Sequence, residues 1–463
     1  MKHDESRRQF LKKLASITGG AALLSTQQQF QLIQSALAAK NDYSSLSDYK
    51  SLVCVYLYGG NDAFNMFVPN TSSGYQQYVN VRQTLAIRQE YLLPVAGERH
   101  AFHPSMSRLR NLYDQKKMAL ISNVGTLLEP VTRSTLQKQA VQLPPNLYSH
   151  SHQAEMWMTG LPPITGKIQH GWGGRMFDLF MQGLKSGDIP PVYSLLGNNE
   201  WQSSVTTIPF SINPWDDSTG FNYLSGKKWP KREKSRTTAW ENILKLASSH
   251  SNPMKQQWAS SIGIARERLA SFSDAFAHVA DIKTSFDNDN HLAMQLRKVA
   301  QIISIRKVMG QHRQIFFVGI GGWDTHGQQL TTHADLLSKL DNALYSFQSA
   351  LAELRLEKSV TSFTASDFGR SLTANGDGTD HAWGTHALVM GGAVNGGQIH
   401  GEMPQLVLGG DDDSGNDGRI IPTIALDQYA ATLAKWMGVS NSDLNDIFPY
   451  LRNFATSDIG FMA

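Results

Sequence analysis

Five short runs of nearly unbroken apolar residues constrain this chain more than any other feature. They fall at residues 52–58 (LVCVYLY), 118–124 (MALISNV), 314–320 (QIFFVGI), 359–365 (SVTSFTA) and 387–390 (ALVM). A strand with one wet face would alternate polar and apolar residues. Continuous runs of this length fit strands buried on both faces, as in a parallel sheet covered by helices on each side. Helical periodicity lies between the runs. Residues 104–117 place Met106, Leu109, Leu112 and Tyr113 on one stripe, and residues 333–356 do the same with Leu336, Leu337, Leu340, Leu344, Phe347, Leu351 and Leu354. Strands alternating with helices predict an α/β fold with a three-layer, doubly wound, mostly parallel sheet.

With 463 residues, 41% of them hydrophobic, the chain can bury a large core, and α/β enzymes of this length often form one domain. Residues 195–235 interrupt the pattern with Trp, Pro, Asn, Gly and Lys and no clear period. They read as an irregular insertion that shapes access to a site. Residues 236–312 read mainly as long polar helices, which extends the insertion to about 195–312. Residues 427–454 read as helix with a break near Gly438.

The net charge of +3 has a local origin. Residues 1–38 hold Lys2, Arg7, Arg8, Lys12 and Lys13 against Asp4 and Glu5, so residues 39–463 are close to neutral. Net charge therefore gives no indication of a nucleic-acid partner. The string Ser6-Arg7-Arg8-Gln9-Phe10-Leu11-Lys12 closely resembles the twin-arginine export signal. A weakly apolar stretch follows at 14–24, and Ala36-Leu37-Ala38 supplies an A-x-A cleavage pattern. Residues 1–38 are thus expected to be a signal read by the twin-arginine machinery. The folded domain, 39–463, is expected to reach the periplasm or the exterior. No other stretch approaches the ~20 apolar residues of a membrane span, so stable membrane insertion is not expected. The lone cysteine, Cys54, excludes an intramolecular disulfide and lies in an apolar run, where it reads as a core residue.

Chemistry gathers where the strands end. Residues 52–58 are followed by Gly59-Gly60-Asn61-Asp62, residues 314–320 by Gly321-Gly322-Trp323-Asp324-Thr325-His326, and residues 359–365 by Ser366-Asp367-Phe368-Gly369-Arg370. The run 387–390 is preceded by Asp380-His381-Ala382-Trp383-Gly384-Thr385-His386. In open α/β sheets ligands bind outside the carboxyl ends of the strands. Each motif also has a plain structural reading, as a tight turn, a helix cap or a surface ion pair. Together they bring several carboxylates and imidazoles to one edge, and a divalent cation is the economical partner for such a group.

These motifs, in this order, resemble the exported family catalogued as domain of unknown function 1501, placed in the alkaline phosphatase superfamily with phosphatases and sulfatases. The resemblance covers roughly residues 50–454. It implies that Asp62 binds one metal, that Asp324 and His326 bind another, and that Asp367 stands where the superfamily has Asp followed by His. Here Phe368 follows, so one expected imidazole is missing and a one-metal or rearranged site becomes an alternative to two. His381 or His386 would supply a late ligand, with His381 favoured. The resemblance also implies a nucleophile at a helix start before Thr159-Gly160, which points to Ser149, with Ser151 as the alternative; a plain N-cap role remains the competing reading. His150 and His152 are open as ligands, proton donors or surface residues. Arg370 and Arg175 are candidate anion-binding side chains. The expected cofactor is one or two ions of Zn, Mn, Mg or Ca.

Two functions fit. One is a metal-dependent hydrolase of a phosphate or sulfate ester, acting on a small molecule or a polymer. The other is a non-catalytic binding or assembly protein that keeps the metal as a clamp, a reading motivated by Phe368.

Overall fold

The computed structural model describes residue 43 and residues 46–167, 169–181, 188–215 and 230–463, with side chains in the last stretch from residue 235 onward. The signal expected at 1–38 and residues 216–229 of the insertion lie outside the described residues. The helices are α1 (Ala63–Met66), α2 (Ser72–Arg82), α3 (Ser107–Asp114), α4 (Arg133–Gln137), α5 (His150–Thr159), α6 (Trp172–Phe180), α7 (Pro230–Ser248), α8 (Pro253–Phe276), α9 (His291–Ser304), α10 (Gln329–Glu353), α11 (Leu426–Met437) and α12 (Asn441–Ile447).

The central sheet holds β1 (Lys50–Tyr58), β5 (Met118–Gly125), β6 (Val192–Ser194), β7 (Phe210–Ser211), β8 (Arg313–Gly321), β9 (Val360–Ser366), β12 (Thr385–Met390), β13 (Ile399–His400) and β14 (Ile424–Ala425), in the order β13-β5-β12-β9-β1-β8-β6-β7 with β14 also on β5. Three short strands, β2 (Phe67–Pro69), β3 (Leu93–Pro94) and β4 (His100–Phe102), form a separate sheet, and β10 (Arg370–Ala374) pairs with β11 (Thr379–His381). The large sheet is mixed and mostly parallel. Among the described residues only β12 runs antiparallel in this sheet, against both β5 and β9. A four-residue apolar run carries no information about direction, so the reversal was not readable from sequence.

The continuous apolar runs have the predicted cause. Val53, Val55 and Leu57 of β1 enter the core on one face, and Leu52, Cys54 and Tyr56 enter the core on the other. Phe316 and Val318 of β8 alternate in the same way with Ile315 and Phe317. Helices α9 and α10 supply the first core, while α6 and α11 supply the second. Cys54 is buried, and burial pushes its thiol pKa up, so it stays protonated.

One helix departs from the sequence reading. Helix α9 lies inside the stretch read as polar, yet Leu292, Leu296, Val299, Ile302 and Ile303 are fully buried. The apolar stripe occupies one face, and averaging over residues 236–312 hid it. Helices α7 and α8 fit the polar reading better; they pack on each other through Trp240 and Trp258 (ring centroids 5.7 Å apart) and leave Leu246 and Met254 exposed. The break at 438 is a helix end, where Gly438 adopts φ 107° and α11 stops.

A half-buried charge sits where α5, α6 and α12 meet. The Arg175 guanidinium donates to Thr159 O (2.6 Å) and Ile447 O (2.5 Å), and also to His170 O. It serves backbone carbonyls at two helix ends, and no exposed anion site is formed by it. Asp427, in the first turn of α11, is buried with Oδ2 unpartnered. Burial raises its pKa to about 7, although Arg175 and the Tyr450 backbone favour the charge. The folded state therefore keeps a proton that the unfolded chain releases near pH 4, and stability contributed by this group falls as pH rises from about 4 to 7. Asp427→Asn should remove that fall and gain on the wild type between pH 5 and pH 8, at ~1.4 kcal/mol per pKa unit. Urea unfolding at both pH values checks this; equal losses in both proteins would contradict it.

Candidate metal centre at the carboxyl edge of the sheet

Strands β1, β8 and β9 are parallel neighbours, so the turns that follow them leave from one edge. The turn after β1 needs its glycines. Gly59 has φ 119°, and a Cβ there would lie 2.4 Å from the Asp324 backbone nitrogen. Gly60 has φ 88°, and a Cβ there would lie 2.7 Å from the Phe368 ring. Two hydrogens in place of two methyl groups let the β1, β8 and β9 turns touch. The Gly59 N–H then donates to Asp367 Oδ2 at 3.1 Å.

Asp324 is the centre of the group. Its Oδ1 accepts from Arg370 Nη1 (2.7 Å) and lies 3.0 Å from His326 Nε2 and 3.2 Å from His381 Nε2. Its Oδ2 lies 3.4 Å from His150 Nε2. Partial burial opposes the charge on Asp324, but Arg370, and after it His326 and His150, outweigh burial and hold the carboxyl below its usual range. Arg370 is itself fully buried, with further bonds to Thr379 and to Gly59 O (3.4 Å). Its guanidinium faces the protein, where it positions Asp324.

The imidazoles are held from behind. His381 Nδ1 donates to Tyr148 O at 2.8 Å, and His150 Nδ1 donates to Asp367 Oδ2 at 2.7 Å. His326 Nδ1 faces Asp380 Oδ1 at 3.5 Å. In front, His150 Nε2 and His326 Nε2 lie 3.1 Å and 2.9 Å from His381 Nε2. Burial, then His150 and Arg370, push the His381 pKa down, against the Tyr148 carbonyl and Asp324, so its neutral form is favoured. Phe368 packs on two of the rings, with centroids 4.7 Å from His150 and 4.6 Å from His381. Among the described residues, His150, Asp324 and His381 each offer a ligand atom within 4.8 Å of the others, a group able to hold a metal ion.

Ser149 is the N-cap residue of α5, but its hydroxyl makes no capping bond. Instead Oγ lies 3.0 Å from His152 Nδ1 and 3.2 Å from Ser151 Oγ. It sits between Tyr148, which holds His381, and His150.

A family model described as protein of unknown function (DUF1501) matches residues 49–416. The chain belongs to the DUF1501 family. No protein of the curated set matches the sequence. Solved structures similar to this DUF1501 chain include Ps i-CgsB in complex with k-i-k-neocarrahexaose (10% identity, 88% of this chain and 77% of that chain, TM-score 0.37). The PsFucS1 sulfatase from Pseudoalteromonas sp. is similar at 9% identity over 89% of this chain and 72% of that chain, with a TM-score of 0.35. The lipoteichoic acid synthase LtaP from Listeria monocytogenes is similar at 9% identity over 84% and 80%, with a TM-score of 0.31.

Two residues expected as ligands stand apart from the cluster in this DUF1501 protein. Asp62 is fully buried; Oδ1 accepts from Arg82 and Oδ2 from Gln329, so both oxygens are engaged inside the chain. His386, in β12, accepts from the Asn123 N–H through Nδ1 (3.0 Å), and its ring meets Phe64 edge-on at 5.2 Å. Burial drives its pKa down to about 3. Of the two late histidines, His381 reaches the cluster. The remaining sequence-expected residues, Asp324, His326, Asp367 and Arg370, do come together there. His150 is the addition, signalled in the sequence only as one of two histidines at a helix start.

Arg82 and Asp62 form a buried ion pair (0% side-chain exposure for both), and removing one partner strands the other. Arg82→Met should cost about 3–5 kcal/mol of stability, read as a lower urea midpoint that added metal does not restore. The double variant Asp62→Asn/Arg82→Met should recover much of the loss. A single variant as stable as wild type would show that the pair has no structural role.

Proposed function

We propose that this protein is a metal-dependent hydrolase of a phosphate or sulfate ester, carried across the membrane by the twin-arginine route and active in the periplasm or outside the cell. One observation carries the reading: imidazole Nε2 atoms and the Asp324 carboxylate gather at the carboxyl edge of the sheet, beside the start of helix α5, where Ser149 stands uncapped. The motif resemblance to phosphatases and sulfatases supplies the substrate class.

The donor set fits a divalent ion. Asp324 and His381 would hold it, with His326 adjoining, and the His381 ring is oriented by the Tyr148 carbonyl behind it. When bound, the ion supplies Lewis acidity toward an ester oxygen. The chain's own groups do the rest. Ser149 Oγ is the attacking group, and His152 Nδ1, 3.0 Å away, accepts its proton. The free N–H groups at the start of α5 face the anionic ester. The new Oγ–P or Oγ–S bond replaces the ester bond, the leaving oxygen takes up a proton, and water then releases the acid from Ser149. Arg370 keeps Asp324 charged and fixed throughout.

The test uses the full chain with p-nitrophenyl phosphate and p-nitrophenyl sulfate. Turnover should disappear with a chelator and return with a divalent ion. Ser149→Ala should lower kcat by ~10³-fold or more, and Asp324→Ala should abolish turnover with little change in fold. Activity that persists in chelator would overturn the metal dependence, and a fully active Ser149→Ala would overturn the nucleophile.

A further inference from the structure

Histidine 150 has the environment of a ligand, although nothing in the strand-end motifs assigns it one. It is the first residue of α5. Its Nδ1 proton is committed to Asp367 Oδ2 (2.7 Å), and that oxygen is fixed in turn by the Gly59 N–H (3.1 Å). His381 is committed in the same way to Tyr148 O (2.8 Å). With Nδ1 donating in each ring, Nε2 is the nitrogen left to offer a lone pair. These two lone pairs face each other at 3.1 Å, with Asp324 Oδ2 3.4 Å from His150 Nε2. Two lone pairs and a carboxylate oxygen so placed repel one another unless a cation lies among them.

Asp324 divides its oxygens in a way that suits this. Oδ1 accepts from the Arg370 guanidinium and lies 3.2 Å from His381 Nε2, while Oδ2 faces His150. Asp367 orients His150 through Oδ2, and the Tyr56 hydroxyl neighbours its carboxylate. Phe368 packs on the rings of His150 and His381 and limits their motion. His326 differs. Its Nδ1 faces an acceptor, the Asp380 carboxylate (3.5 Å), and a donor, the Asn375 amide nitrogen (3.4 Å), so neither tautomer is fixed, and its side chain is 45% exposed.

We propose that His150 is a metal ligand, forming with His381 and Asp324 a three-ligand centre for a transition-metal ion of the Zn2+ class, with His326 on its open side rather than in its ligand set. Two imidazoles and one carboxylate favour such an ion over Ca2+ or Mg2+. Three protein ligands leave coordination positions open. The ligand also adjoins Ser149 in sequence, so the bound ion fixes the start of α5. The proposal shares its ion with the hydrolase reading, but it is tested by binding alone.

The experiment is a Zn2+ titration of the metal-free full chain against a chromophoric chelator, with circular dichroism to confirm that each variant is folded. Wild type should bind one equivalent. His150→Gln should lose more affinity than Asp367→Asn, whose loss is expected at ~10–100-fold, and His326→Gln should bind as wild type does. The Co2+-loaded wild type should absorb in the visible, and the His150→Gln spectrum should differ. Wild-type affinity in His150→Gln, or a loss in His326→Gln as large as that in His150→Gln, overturns the assignment, as does a wild type that takes up no Zn2+. If His150→Gln loses the ion while the wild type cleaves no ester, the centre stands and the hydrolase reading falls.

Discussion

Strand β1 runs parallel between β8 and β9, and the three end at one level: Tyr58 lies beside Gly321 and Leu57 beside Ser366. Everything at the candidate centre depends on that alignment. Three turns leave the sheet side by side, and Gly59 and Gly60 remove the bulk that would hold them apart. Asp324, Asp367 and Phe368 then meet over the end of β1. The antiparallel β12 presents its first residues at the same edge, which brings the preceding β11, with His381, into the group.

Charge is sorted beneath that surface. Asp62 is neutralised by Arg82 and Gln329 in the buried layer. Arg370, also buried, reaches up to Asp324. The lower carboxylate is closed by the protein's own cation, whereas the upper one keeps an oxygen turned toward the imidazoles. Residues that look equivalent in the sequence, an aspartate after β1 and an aspartate after β8, thus have different chemistry: each gives one oxygen to a buried arginine, but the second oxygen of Asp62 is taken by Gln329 and that of Asp324 faces His150.

The strands were legible because burial on both faces writes an unbroken apolar run into the sequence, and α10 because its stripe of leucines is long. The two- and three-residue strands β6, β7, β13 and β14 were not, since so few residues carry no period. At the site, Asp324 and Asp367 were legible from their places after strands. The engagement of Asp62 was not, because Arg82 is separated from it by α1, β2 and most of α2, and nothing local marks the pairing. Arg370 reads in the sequence as a group for binding anions, yet packing under β11 turns it inward. His150 was visible only as a histidine near a helix start, and its bond to Asp367 spans 217 residues of chain.

The imidazoles of His150 and His381 each donate to an oxygen behind them, from Asp367 and Tyr148, and both rings lie against Phe368. Such rings lose their rotational freedom when the chain folds and have little left to lose afterwards. Capture of an ion then asks for almost no rearrangement of backbone or side chain, so the empty and loaded forms should be nearly superimposable. Selectivity in so stiff a cage comes from the size and dehydration of the ion, because the protein does not adjust to fit it.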